Sequence, residues 1–396
     1  MESEENNRVV RMAVLSDLHA TTVVDPRRSW VREGQPPQSN PLAGLPSLIE
    51  KSPELRADVL LCPGDLCDQA DWSALPYAWS EVKQIANLLG AERIVATTGN
   101  HDIDTYDLHG TTNIHEGLLS LGADYPFHPP AEENHYWANR ASRVVGENWQ
   151  VISLNSCLME RLEKTDNDHG TVDDLTLDRI RDLADESLPV NILLCHHHPQ
   201  PFNRIIPDNS HMNSGDRLVN LLDELPERWM IVHGHKHEPH LDYMGGTGAQ
   251  STRLVAGSVG VVLWAALSAH VRNQLHLIEF PIDECAQLHL SMAGRVRSWT
   301  WRPTTKWKRA SEGDGLPATA GFGYHRAPAE LAAELIAHAQ AENLRVLERE
   351  HLNRWQPRLP YLLPADLERF QLELENTHGC HVSIDLAGYL DRVVLR

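Results

Sequence analysis

Basic residues are scarce in this sequence: 35 Lys and Arg stand against 55 Asp and Glu in 396 residues, a formal charge of -20 with His neutral. A surface of that sign repels polyanions and anionic membranes, so any phosphate-bearing ligand must be drawn in locally, by metal or by a basic patch. Long apolar runs are missing too. The longest, Leu254 to Leu267, is 14 residues with two glycines and a serine, which is core-strand rather than membrane-span material. The opening Met1-Glu-Ser-Glu-Glu-Asn-Asn is acidic and polar, the reverse of a secretory leader, and the expectation is a cytoplasmic protein without a membrane partner. The six cysteines (Cys62, Cys67, Cys157, Cys195, Cys285 and Cys380) match no zinc-ribbon spacing and read as reduced core thiols. Internal repeats and low-complexity tracts are absent. With 41% hydrophobic and 23% charged residues, wholesale disorder and fibrous repeats are excluded.

What is present is an alternation. Short runs rich in Val, Ile, Leu or Met recur at Arg11–Ser16, Asp58–Cys62, Arg93–Thr97, Trp149–Leu154, Val190–Cys195 and Trp229–Val232. They are apolar on both faces, as strands buried inside a sheet are. Helical stretches such as Tyr77–Leu89 and Asp174–Leu183 fall between them, so the fold class is α/β. From Thr252 onward, strand-like stretches follow one another without helices (Leu254–Ala256, Val259–Leu263, Gln274–Phe280 and Gln287–Met292), which predicts a largely antiparallel second sheet. Residues 311–328 are rich in Gly, Ala and Pro and read as a linker. Beyond them, Ala329–Trp355 and Pro364–Glu375 have helix-forming patterns. The expected organisation is one domain over 1–310, a linker over 311–328, and a module over 329–396 that serves a protein partner or self-association.

The chemistry sits where five of the six strand runs stop. Ser16 gives way to Asp17-Leu-His19, Cys62 to Pro-Gly64-Asp65-Leu-Cys-Asp68, and Thr97 to Thr-Gly99-Asn100-His101-Asp102. Cys195 is followed by His196-His197-His198-Pro199, and Val232 by His233-Gly234-His235-Lys-His237. Ligands in open α/β sheets gather at the carboxyl ends of strands, so the five clusters are candidates to converge. Asp-x-His and His-x-His place two donors on one side of an extended chain. Carboxylate, imidazole and amide oxygen together suit Mn, Fe or Zn, and Asp65 could bridge two such ions. A pair of divalent ions about 3.5–4 Å apart generates a hydroxide nucleophile at neutral pH and neutralises phosphoryl charge.

These five motifs, in this order and at these separations, resemble the calcineurin-like metallophosphoesterase superfamily over roughly residues 11–290. The resemblance implies a four-layer α/β/β/α sandwich with a small C-terminal appendage, and a site for two divalent metal ions. Carried over position by position, it implies Asp17, His19 and His237 for the first ion, Asp65 as the bridge, and Asn100, His197 and His235 for the second. His196 stands as the fallback for His197, and His198 is expected to face substrate. His101 resembles the proton donor to the leaving oxygen, and Asp68 the carboxylate that orients it. Within the superfamily the motifs look most like the small bacterial phosphodiesterase branch, which implies a phosphodiester, small or cyclic and nucleotide-like. A nuclease of the Mre type or a phosphomonoesterase is the alternative, and a scaffold without turnover would not need the whole donor set.

Three further features carry readings of their own. Asp102 is either a turn carboxylate or a catalytic group, and the turn is favoured. Residues 103–143, with four histidines and several aromatics, read as a cap over the site or as an ordinary long loop. Arg295–Arg309 interleaves six cations with Trp299, Trp301 and Trp307. That pattern fits single-stranded nucleic acid, or a β-hairpin with a cationic face and inward-packed aromatics.

Overall fold

A computed structural model describes residues 8–396 except 132–134, 160–167, 185–187, 209, 246–249 and 385–388. The acidic opening segment and part of the expected cap therefore lie outside the described residues. The chain forms two compact units. The larger comprises Val10–Glu279 and Arg297–Ala318, and the other comprises residues up to Val9, Phe280–Val296 and Thr319–Arg396.

In chain order the first strands are β1 (Val9–Val14), β2 (Val59–Cys62), β3 (Arg93–Ala96) and the short β4 (Phe127–His128). β1, β2 and β3 run parallel, with Met12 opposite Val59 and Val59 opposite Arg93, and β4 returns antiparallel to β3. A second sheet follows: β5 (Ala141–Val145), β6 (Trp149–Leu154), β7 (Val190–Leu194), β8 (Met230–His233), β9 (His240–Tyr243) and β10 (Thr252–Val255). Its order is β5-β6-β7-β8-β10-β9, parallel through β6, β7, β8 and β10, with antiparallel strands at both edges. β11 (Asn273–Pro281), β12 (Gly294–Trp301) and β13 (Lys308–Arg309) then join the first sheet in the order β13-β12-β11-β1-β2-β3-β4.

The expected second sheet is thus present, but it forms earlier in the chain and is mostly parallel. Val259–Leu263 makes isolated bridges rather than a strand, and Gln287 ends a helix, Ile282–Gln287. Apolar alternation marks a strand but does not say which sheet will pair with it.

Local chemistry explains the connecting helices. Leu75–Leu89 buries Leu75, Ala78, Val82, Ile85, Ala86 and Leu89 at helical spacing and stops at Gly90, whose φ of 80° is the left-handed cap a glycine adopts freely. Asn40 caps Pro41–Lys51 by accepting the amides of Leu42 and Ala43, and Asp173 caps Asp174–Leu183 through Thr176. All six cysteines are buried free thiols. Among the described residues no helix is long and apolar enough to cross a membrane.

Residues 311–328, read as a linker, belong to the larger unit up to Ala318 and to the other from Thr319, where β14 (Thr319–Phe322) begins. The following helix spans Pro328–Ala341 rather than reaching Trp355, because Asn343 turns the chain with φ 54° into β15 (Val346–Glu348). The helix Pro364–Leu372 precedes β16 (His381–Ile384) and β17 (Leu390–Val394), and the small antiparallel sheet has the order β15-β17-β16. Leu331, Leu335, Leu347, Phe370, Leu390 and Val393 form its core, while Tyr361 packs with Cys285 and Ala293.

Candidate metal centre

The parallel strands deliver their tails to one place. Beyond β1 and β2 the chains stay paired, with the amide of Asp17 on Gly64 O (3.2 Å) and that of His19 on Asp65 O (3.0 Å). Backbone at Asp17, His19, Asp65, His235 and His237 lies in the left-handed region, φ 45–69°, which ordinary residues adopt only when their surroundings impose it. Glycines make room at the two closest approaches. A Cβ on Gly99 would come within 2.1 Å of Asp65 Oδ1, and one on Gly234 within 2.5 Å of Asp17 Oδ2.

Asp102 fixes the central loop. Its buried carboxylate accepts the amides of Asp65 (3.0 Å), Cys67 (3.0 Å) and Gly99 (2.9 Å). It is therefore the turn carboxylate, and its burial, together with the charge of Asp65, pushes it up to about 7.

Two groups of donors face one another across Asp65. On one side His19 Nε2 lies 3.1 Å from Asp65 Oδ2 and His237 Nε2 lies 3.2 Å from Asp17 Oδ1. On the other, His196 Nε2 lies 3.4 Å from the same Asp65 oxygen and 2.9 Å from Asn100 Oδ1, which His235 Nδ1 also approaches at 3.1 Å. Candidate donor atoms of Asp17, His19, Asp65 and His237 fall within 4.8 Å of one another, as do those of His196, His197 and His235. His196 Nδ1 is held by Pro63 O at 2.8 Å, the backbone anchoring that orients a ligating imidazole.

Both rings weighed for this motif, His196 and His197, lie in that donor group with His235, and their contacts differ. His196 is the ring in contact with Asp65 and Asn100, whereas His197 turns Nδ1 to Ser156 Oγ (2.9 Å), with its ring 4.7 Å from that of His235. His198, expected to face substrate, is wholly buried with Nε2 on Asp208 at 2.6 Å. Asp208 also accepts the amides of Phe202 and Ser210 and the Lys236 ammonium. No sequence motif pointed to Asp208.

Asp68 Oδ1 lies 3.2 Å from His101 Nδ1 and 3.3 Å from His19 Nδ1. Its other oxygen takes the Arg28 guanidinium at 2.7 Å. Arg28 was not foreseen, because it arrives on a loop with no motif of its own.

The residues fit divalent metal. Asp17 and Asp65 are buried carboxylates. Burial alone would raise Asp65, but the surrounding His196, His101 and His19 hold it well below the usual range. Burial drives His235 and His237 down to the neutral imidazole that a metal requires. Burial also opposes charge on His19, yet Asp65 and Asp68 outweigh it and raise that ring to about 10, an anionic pull that a metal ion would answer in place of the proton. Nε2 of His19 and of His237 each face a carboxylate oxygen, and His237 Nδ1 is buried without a hydrogen-bond partner among the described residues. Anionic oxygens and imidazole nitrogens gathered within 4.8 Å of one another are what a cation would complete.

Residues 10–239, more than half of the chain, match the family model for calcineurin-like phosphoesterase. The chain belongs to that family. This calcineurin-like phosphoesterase is accordingly a metal-dependent phosphoric ester hydrolase with a His/Asp cluster suited to two ions. A further family model, wHTH-Calcineurin_assc, matches residues 320–376. Among solved structures, a dimetal phosphatase from Danio rerio is similar at 10% identity and a TM-score of 0.49, covering 80% of this chain and 99% of its own. The purple acid phosphatase PPD1 of yellow lupin (Lupinus luteus) is similar at 12% identity and a TM-score of 0.49, over 80% of this chain and 54% of that one. No curated protein matches significantly.

The basic stretch takes the hairpin form. Trp299 and Trp301 are buried, Arg297 pairs with Glu279 (2.6 Å), Arg302 with Asp314, and Arg309 lies 4.6 Å over the Trp299 ring. In the segment read as a cap, Tyr125 and Tyr136 are buried as well, while Tyr106 stands exposed.

Proposed function

We propose that the protein hydrolyses a small phosphodiester at a two-metal site, with Asp17, His19 and His237 on one ion, Asn100, His196 and His235 on the other, and Asp65 between them. The observation that carries this reading is Asp65 Oδ2, which faces a histidine of each group. Divalent ions bound there would supply the nucleophilic hydroxide and neutralise phosphoryl charge. Asp68 holds His101 by Nδ1, which leaves Nε2 to deliver a proton to the departing oxygen.

The preference for a diester rests on charge. The cations that touch the site's supporting residues, Arg28 and Lys236, are committed to Asp68 and Asp208. Little positive charge beyond the metals is then left for a monoester dianion, and a diester carries one negative charge fewer. A nucleic-acid strand would meet the -20 surface along its length. Residues 319–396 hold eleven Asp and Glu against eight Arg and no Lys, which supports a protein partner or self-association for that module rather than DNA. The test compares bis-p-nitrophenyl phosphate with p-nitrophenyl phosphate on protein loaded with Mn, Zn or Fe(II). A higher kcat/KM for the diester is expected, and a preference for the monoester overturns the assignment.

A further inference from the structure

A cleft of about 300 Å³ opens beside the metal centre, and its lining includes Asn100 and His101 together with Ile103, Tyr106 and Leu108. Tyr106 is 52% and Leu108 60% exposed. Large apolar side chains at that exposure normally belong to mobile surface, but this loop is tied down. Asp104, itself fully buried, accepts the amides of Leu108 and His109, both at 2.8 Å. The His109 ring stacks on Trp72 at 4.0 Å and 7°, and its Nε2 meets Ala70 O at 2.7 Å. Trp72 in turn donates to the backbone carbonyl of Asp102 at 3.1 Å, so the loop is tied to the main chain of the residue whose carboxylate organises the metal loop. Two apolar side chains are thus held ready at the edge of the site, a preorganised contact surface that costs little to order on binding.

The charge of the cleft is one-sided. Asp104 and Asp168 line it, and among the described residues no Lys or Arg does. A second anionic group reaching past His101 would meet Asp168 with no Lys or Arg among the described lining residues to balance it.

We propose that this cleft is the leaving-group subsite and selects an uncharged or cationic alcohol bearing a ring, which packs on Tyr106 and Leu108, while it rejects an anionic one. The inference rests on the phosphodiesterase reading above and narrows its substrate class. In the step itself, water loses one proton to solvent and its oxygen adds to phosphorus, the bond from phosphorus to the leaving oxygen breaks, and the proton on His101 passes to that oxygen, His101 then regaining a proton from solvent. The product alcohol departs through the cleft with its hydroxyl protonated.

Two measurements separate failure of this inference from failure of the reading beneath it. In the first, benzyl alcohols carrying a para methyl, trimethylammonium or carboxylate group are titrated into metal-free protein and followed by NMR. The methyl and trimethylammonium forms should bind at least tenfold tighter than the carboxylate. Tyr106→Ala should weaken both by a similar factor, and Leu108→Lys should shift preference toward the carboxylate. Equal affinity for all three alcohols, or affinities unmoved by both substitutions, overturns the subsite. In the second, metal-loaded protein hydrolyses phosphodiesters whose leaving phenol carries the same three substituents. The same order in kcat/KM is expected, with Leu108→Lys compressing it at least tenfold. Hydrolysis with no dependence on substituent charge overturns the inference and leaves the reading intact. Charge-selective alcohol binding without hydrolysis of any diester under any metal overturns the reading instead.

Discussion

The carboxylate of Asp65 stands 3.4 Å from Nε2 of His196, on the same oxygen that faces His19 at 3.1 Å. One side chain therefore ties together motifs that are 46 residues apart on one side and 131 on the other.

Asp65→Asn should lose both ions. An amide cannot balance two dications, and the loss in metal affinity should be of order 10²-fold or more. Metal content by mass spectrometry of native protein checks this, and two ions retained per chain would remove Asp65 from the bridging role.

The triplet offers a sharper comparison. His196→Ala should strip the second ion, whereas His197→Ala should keep two ions per chain with weaker binding, since His197 holds Ser156 rather than Asn100. The reverse stoichiometry would restore His197 as the ligand.

Substituting His101 by Ala should cost about 10²–10⁴-fold on an alkyl ester and far less on a nitrophenyl ester, whose leaving group needs no proton. Asp68→Asn should follow the trend more weakly if its metal content is unchanged. Equal losses on both esters would mean that His101 does not deliver the proton.

Acid should weaken the metal-free protein through its buried imidazoles. Burial lowers His276 to about 3, and its Nε2 accepts the Gly257 amide at 3.0 Å. The folded ring binds fewer protons than the unfolded one, whose pKa is about 6.5. Its stabilisation is therefore complete above about pH 6.5 and is lost as pH falls toward 3, by up to about 1.4 kcal/mol per pH unit. Urea unfolding in chelator at pH 6.5 and 5 should show the wild type losing about 1–2 kcal/mol more than His276→Gln. Parallel losses would mean that this ring already titrates in the folded state.

A chain ending at Ala318 should be destabilised rather than merely shortened. Tyr361 packs on Cys285 and Ala293, so the cut uncovers apolar surface of the retained 280–296 segment. An unchanged melting temperature would show that this segment holds without its cover.

Much of the centre was legible in the sequence for a physical reason. Each donor follows within a few residues of a buried parallel strand, so strand ends and chemistry could be read together, as at Val14 to Asp17 and Val232 to His235. Three consecutive histidines defeat that logic. Which ring reaches Asn100 depends on how the chain leaves β7, a matter of backbone path rather than residue type. Arg28 and Asp208 escaped notice because they act from loops through tertiary contact. β11 was recognisable as a strand and Arg295–Arg309 as a hairpin, but their partner sheet was not, since pairing is decided by the whole topology.

The left-handed backbone at Asp17, His19, Asp65, His235 and His237 sets an evolutionary tension. Every one of these positions would be more relaxed as glycine, and some as asparagine. A population of variants selected only to survive heat should accumulate Gly and Asn at these five positions. It would then grow sturdier while its metal-binding groups disappear, so an inactive, thermally robust descendant is the form this fold would drift toward once selection for turnover is relaxed.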